Sequence, residues 1–179
     1  MNRREFVAAA ASVGVLGGGA AIATDRVNVG EQPGAAESTQ VEIETLDAPG
    51  STAGSITIPD GRVTLLSVFA TWCRICAESM PALGQVYDEY GADVRFLSVS
   101  NEAIGGTVTR EDVADWWSRN DGRWSVGVDT ELDLTAEFDV STVPTTLLLD
   151  ADNEVAWRST GEKTVEELQS GIDGALGER

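Results

Sequence analysis

The sequence predicts an α/β domain in which a central mixed β-sheet is flanked by helices. Three observations predict it. From Val63 to Phe138, β-rich apolar runs alternate with segments of helical periodicity. One of those runs, Val63–Phe69, is β-rich on both faces, as a strand buried in a parallel sheet is. The chain then closes with two strands joined by a short polar turn and a last amphipathic helix, which adds antiparallel pairing to the sheet.

The elements follow in order. Val41–Leu46 alternates and reads as a strand, and Ser55–Pro59 as a short one ending at the turn Pro59-Asp60-Gly61. After the buried run comes a helix from Cys73 to about Tyr90, with Gly91 as its C-cap. Val94–Val99 is the next apolar strand, and 101–107 a loop. Thr109 caps a helix to about Asn120; Asp112 stands where a capping box wants Glu or Gln, so the box is expected to be weak. Trp124–Val128 is a short strand and Glu131–Phe138 a short helix. Thr145–Leu149 and Val155–Ser159 form the hairpin across residues 150–153. Thr164, with Glu167 three residues on, is a better capping box for a helix carrying Val165, Leu168, Ile172 and Leu176 on one side.

The 179 residues suit one domain with an N-terminal extension, and 42% of them are hydrophobic, enough for a core. Thirty acidic residues face twelve basic ones, for a net charge of -18. Eleven of the twelve cations are arginines; Lys163 is the one lysine, and histidine is absent. The acids are spread along the whole chain, which fits adaptation to high salt better than an acidic face for one partner or a disordered tail. No basic stripe exists to neutralise phosphates, so nucleic acid is not an expected partner. Without histidine there is no Ser-His or Cys-His pair and no imidazole metal ligand, and no metal or other cofactor is expected.

The N-terminus reads as an address. Arg3-Arg4, one spacer, then Phe6-Val7 resemble a twin-arginine export signal, followed by an Ala/Gly-rich apolar run from Val7 to Ala23. Ala21-Ile22-Ala23 fits a cleavage site. The run is 17 residues, at the short edge of spanning length, so a retained anchor stays open beside cleavage. The organisation expected is a signal or anchor over 1–23, a polar linker over 24–40 and a folded domain over 41–179, exported and monomeric.

Trp72-Cys73-Arg74-Ile75-Cys76 carries the chemistry. It sits where the strand ending near Ala70 passes into a helix. The spacing lets the two sulfurs meet across the first helical turn. Free N–H groups and partial positive charge at the helix start stabilise a thiolate, and Arg74 adds a cation. Cys73, nearer the N-terminus, is expected to attack; Cys76, one turn in, to resolve the mixed disulfide. A structural bridge and half of a metal site are the competing readings. Closing so small a loop removes little unfolded-state entropy, which weighs against the first.

Val68-Phe69-Ala70-Thr71-Trp72-Cys73-x-x-Cys76, then Pro81, then Val143-Pro144-Thr145, resembles the thioredoxin superfamily, and within it the exported TlpA/ResA-type thiol-disulfide oxidoreductases. The resemblance covers roughly 41–178 and implies a thioredoxin-like three-layer fold. It implies that Pro144 is a cis-proline beside the cysteines, that Val143 offers backbone hydrogen bonds to substrate, that Trp72 flanks the active sulfur and that Pro81 is structural. It also implies protein thiols and disulfides as partners, a membrane thiol donor as electron source, and a role in readying cysteines for heme attachment.

Departures narrow this. The buried Asp many thioredoxins carry six residues before the first cysteine is Ser67 here. The Glu that TlpA/ResA-type proteins often carry three residues after the second cysteine is Ser79. Glu78 stands one step away, rotated by roughly 100°; it reads first as a solvated helix residue and second as an acid-base group near Cys76, and with Arg74 it is a candidate modulator of the cysteines' pKa. Ile75 replaces both the proline common between the cysteines and the histidine of strongly oxidising relatives. Of Trp116 and Trp117, one is expected to pack inward; Asp129 and Asp133 read as surface acids. The competing functions are a non-catalytic binding module with an inert bridge and a thiol peroxidase, whose cysteine usually follows a Thr-x-x-Cys pattern.

Overall fold

The structure, a computed structural model, describes residues 39–152 and 154–177. The export-signal reading of 1–23 and all but the last two residues of the linker reading lie outside them. The elements run β1 (Val41–Thr45), β2 (Gly54–Ile58), β3 (Thr64–Phe69), α1 (Arg74–Tyr90), β4 (Arg95–Ser100), α2 (Arg110–Arg119), β5 (Ser125–Val128), α3 (Asp133–Glu137), β6 (Thr145–Leu149), β7 (Val155–Thr160) and α4 (Val165–Gly177). The strands make one mixed sheet in the order β2-β1-β5-β4-β3-β6-β7. β3, β4 and β5 are parallel; β1, β2, β6 and β7 pair antiparallel.

β3 is buried along its whole length because it is central and covered on both faces. Alternation along it feeds two cores. Leu65 and Phe69 join the larger one, beneath α1, α2 and α4, with Met80, Leu83, Trp116, Trp117, Leu168 and Ile172. Leu66 and Val68 join the other, where Leu134 and Phe138 of the short α3 region lie with Leu97, Val99, Leu147 and Leu149. Three helices thus cover one face and one short helix the other.

Local chemistry explains the ends. Gly91 does end α1, but in right-handed backbone at φ -63°. Glycine is needed there for close approach: a Cβ would fall 2.7 Å from Tyr87 O and 2.8 Å from the Tyr87 ring. The box at Thr109 is complete with the shorter aspartate. Thr109 N–H donates to Asp112 Oδ2 at 2.8 Å, and Asp112 N–H to Thr109 Oγ1 at 3.1 Å. The Thr109 hydroxyl, which donates to the same Oδ2 at 2.7 Å, and after it the Thr109 N–H hold the Asp112 carboxyl below its ordinary 3.8. The box therefore contributes fully above that value and is lost as pH falls through the lowered one. At the last helix, Thr164 N–H donates to Glu167 Oε2 at 2.9 Å and Glu167 N–H to Thr164 Oγ1 at 3.2 Å.

Two expectations are corrected. Trp116 and Trp117 are both buried, not one of them. With Val113 they stand at i, i+3 and i+4, so both share the face turned to the sheet. Trp116 stacks on Phe69 at 4.5 Å between centroids, and Trp117 meets Trp124 edge-on at 5.0 Å. Asp129 is not a surface acid but buried. It accepts from Leu134 N–H at 3.2 Å, Thr135 N–H at 2.8 Å and the Thr135 hydroxyl at 2.6 Å, capping α3, whose own N-cap Leu132 offers no side-chain acceptor. Asp133 is exposed.

Trp117 is fully buried and its Nε1–H donates to Pro49 O at 3.0 Å. Trp117→Ala is expected to cost about 3–5 kcal/mol, read by urea unfolding in molar salt, with the closing helix and hairpin left folded at low denaturant.

Candidate active site

Sequence places the cysteines at the junction of the most buried strand and the longest helix. Cys73 is the N-cap of α1, in extended backbone, and Cys76 lies in the first turn. Their sulfurs are joined, with Cα atoms 5.2 Å apart. Cys76 N–H donates to Cys73 Sγ at 3.1 Å, so the sulfur does the work of a capping oxygen. A reduced Cys73 would hold its thiolate on the same donor, at the positive end of a helix of 17 residues.

Both cysteines are largely covered, 7% exposed at Cys73 and 3% at Cys76, so Cys73 is the nearer to solvent. Their neighbours are not covered. Trp72 is 74% exposed and Ile75 also stands out, an apolar rim beside the cysteine pair. Arg74 points to solvent and pairs with Glu78 at 2.6 Å. Glu78 is thus a solvated helix residue, and it cancels much of the charge that Arg74 would lend the thiolate. An exposed pair of this kind adds about 0.3–0.5 kcal/mol to the helix. The helix end is left as the principal support of Cys73.

Behind Cys76 lies a cavity of about 10 Å³, roughly what one water molecule needs. Its sheet floor is a polar row. Ser67 of β3 pairs in register with Ser98 of β4 on one side and Thr146 of β6 on the other, and all three line the cavity. Ser79 lines it from α1, its hydroxyl donating to Ile75 O at 2.9 Å. Pro144 and Lys163 close it. The Val143–Pro144 peptide is cis, as is Ile58–Pro59. Val143 is half-buried beside it. Pro81 lies inside α1, where it offers no N–H, and the helix continues past it.

One member of the site was not read from the sequence. Glu102 is 8% exposed and holds the loop in front of Cys73. Thr71 N–H donates to its Oε2 at 2.7 Å, the Thr71 hydroxyl to its Oε1 at 2.8 Å and the Ser100 hydroxyl to its Oε2 at 3.0 Å. β3 and β4 run parallel with Phe69 opposite Ser100, so the residues just past each strand end meet at one edge. The signal was an acid two residues beyond an apolar strand; it becomes legible only once the two strands are known to be neighbours.

Among the described residues, no group of three or more His, Cys, Asp or Glu is placed to hold a metal ion, and no helix is long and apolar enough to cross a membrane.

The family model described as Redoxin matches residues 38–176. The chain belongs to that family. Within the thioredoxin superfamily this Redoxin-family chain is TlpA/ResA-like. It is 27% identical over 109 residues to the thiol-disulfide oxidoreductase ResA of Bacillus cereus, covering 61% of each chain. It is 27% identical over 116 residues to the sporulation thiol-disulfide oxidoreductase A of Bacillus subtilis, covering 64% of this chain and 69% of that one. The match with ResA therefore spans about three fifths of that relative's length. The crystal structure of StoA from Bacillus subtilis superposes with a TM-score of 0.63 at 23% identity, covering 75% of this chain and 96% of that one, a likeness of fold.

Glu102→Gln replaces the charged acceptor of three donors with a neutral amide, whose N–H₂ obliges the Thr71 hydroxyl to turn from donor to acceptor. It is expected to destabilise the chain by about 1–3 kcal/mol. Amide hydrogen exchange at Thr71 and Trp72 should speed up more than in α4, and equal protection in variant and native protein would contradict this role.

Proposed function

We propose that this chain is an exported thiol-disulfide oxidoreductase that exchanges disulfides with protein substrates through Cys73 and Cys76. The observation that carries the reading is the cysteine pair closed over the first turn of α1, with a helix N–H on Cys73 Sγ and an apolar rim of Trp72 and Ile75 outside it. The names of the ResA and sporulation relatives support the same chemistry.

In the reducing direction, the Cys73 thiolate attacks one sulfur of a substrate disulfide. A Cys73–substrate bond forms and the other substrate sulfur leaves as a thiolate, taking a proton from water. Cys76 then attacks Cys73 Sγ, closing the Cys73–Cys76 bond and releasing the second substrate thiol. The two protein sulfurs lose two electrons and the substrate disulfide gains them. An external dithiol at the membrane returns the chain to its reduced form. Val143 offers backbone groups to an extended substrate segment beside Pro144, and Trp72 covers its other side. Substrates include proteins whose cysteines are readied for heme attachment.

The place of action is outside the cytoplasm. Arg3-Arg4-x-Phe6 followed by the apolar run to Ala23 supports export of the folded chain, with the domain proper from about residue 41. A net charge of -18 supports folding and action in high salt, where self-repulsion is screened.

Cys73→Ser is expected to lose all reduction of insulin disulfides in molar salt, since no attacking thiolate remains. Cys76→Ser should keep the attack and accumulate mixed disulfides visible by mass spectrometry. Full activity of the Cys73 variant would sink the proposal.

A further inference from the structure

The chain's one lysine is buried behind the cysteine that resolves the mixed disulfide. Lys163 is only 9% exposed. It lies between β7 and α4 and lines the cavity that Cys76 also lines. Its ammonium donates to Thr160 O at 2.5 Å and Glu162 O at 2.8 Å. Those two carbonyls use two of its three N–H donors. The turn that carries it is pinned to the active site, because Gly161 N–H donates to Pro144 O at 2.9 Å.

A buried cation ordinarily has a counter-ion, since an unpaired charge away from water is costly. Among the described residues no carboxylate forms an ion pair with Lys163. None lines the cavity either. The strands beneath contribute Ser67, Ser98 and Thr146, and α1 contributes Ser79; the remaining lining is apolar or aromatic apart from Cys76. The nearby acids are committed or outside it: Glu78 to Arg74, Glu102 to Thr71, Glu167 to Thr164, with Glu162 exposed. The group on this cavity that can become an anion is Cys76, and it does so when the disulfide opens.

We propose that Lys163 is a positioning residue whose ammonium stabilises the Cys76 thiolate, at a cavity where Ser67 and Ser79 supply no carboxylate. The inference rests on the exchange reading of Cys73 and Cys76. When the mixed disulfide resolves, the Cys76 thiolate attacks Cys73 Sγ, the Cys73–Cys76 bond forms and the substrate sulfur leaves as a thiolate. In the opposite direction Cys76 is the leaving group. No proton passes to or from Lys163 in either step; its charge lowers the cost of negative charge on Cys76 in both directions. Stabilising that thiolate favours the reduced form, so the couple is more oxidising than a neutral residue at 163 would make it. A buried pair is screened little by salt, so the effect persists in brine.

The test compares the full chain with Lys163→Met, which keeps length and loses charge, and Lys163→Gln, which keeps an N–H donor without charge. Equilibrium with a glutathione redox buffer is read by alkylation and mass spectrometry from about pH 6 to about pH 10. Cys76 is also titrated alone in a Cys73→Ser background. Both variants are expected to raise the Cys76 pKa by about one unit or more. Both should shift the equilibrium toward the disulfide about tenfold at the alkaline end (29.6 mV for a two-electron couple), and little at the acid end. A Cys76 pKa unchanged in both variants, a shift equal at every pH, or native behaviour restored by Gln would each overturn the proposal, whatever happens to the melting temperature. If Met prevents folding, Gln alone decides. A native chain that fails to equilibrate with glutathione at all would instead overturn the exchange reading.

Discussion

The hydrogen bond from Cys76 N–H to Cys73 Sγ is where fold and chemistry meet. It exists because a long helix begins exactly one residue past a sulfur, and that start is fixed by β3, which delivers the chain to the sheet edge from the middle of the core. Around it, Glu102 ties Thr71, the residue two before Cys73, to the neighbouring strand end, and the cis Val143–Pro144 bond and its turn sit beside Cys76. Phe69, the last residue of β3, is held by Trp116. These contacts hold the segments around the sulfur and its donor, and a donor's grip on a thiolate weakens steeply with misalignment.

The polar row beneath Cys76 is the second constraint. Ser67, Ser98 and Thr146 stand in register across three central strands whose other buried residues are mostly apolar. They line the cavity behind the inner sulfur with dipoles but no carboxylate, and the charged residue that lines it with them is Lys163. A carboxylate at such a place would oppose a second anion. A lysine favours one.

Much of this was legible in the sequence, for a physical reason: apolar periodicity and helix ends are local. Val63–Phe69, the start of α1 at the cysteines, the hairpin and the last helix with its Thr164 box all follow from residues close together in the chain. Element ends differ by a residue or so, as at β4, which is Arg95–Ser100 rather than Val94–Val99. What was not legible depends on neighbours far along the chain. Glu102 matters through a loop 31 residues away. Asp129 is buried because it caps a helix whose own start lacks a cap. Gly91 ends α1 through contact with Tyr87 rather than through its backbone sign. Trp116 and Trp117 could have been paired with Val113 by spacing, and both then fall on the inner face.

If Cys73 and Cys76 exchange disulfides as proposed, the helix start and not Arg74 makes Cys73 the reactive sulfur. The most direct measurement is the pH dependence of alkylation of the reduced full chain in molar salt, with the modified cysteine identified by mass spectrometry. Modification first at Cys73, with an inflection well below the ordinary thiol value of about 8.5 and unmoved by Arg74→Ala, is the predicted result. Modification first at Cys76, or an inflection at Cys73 at or above that value, would contradict it.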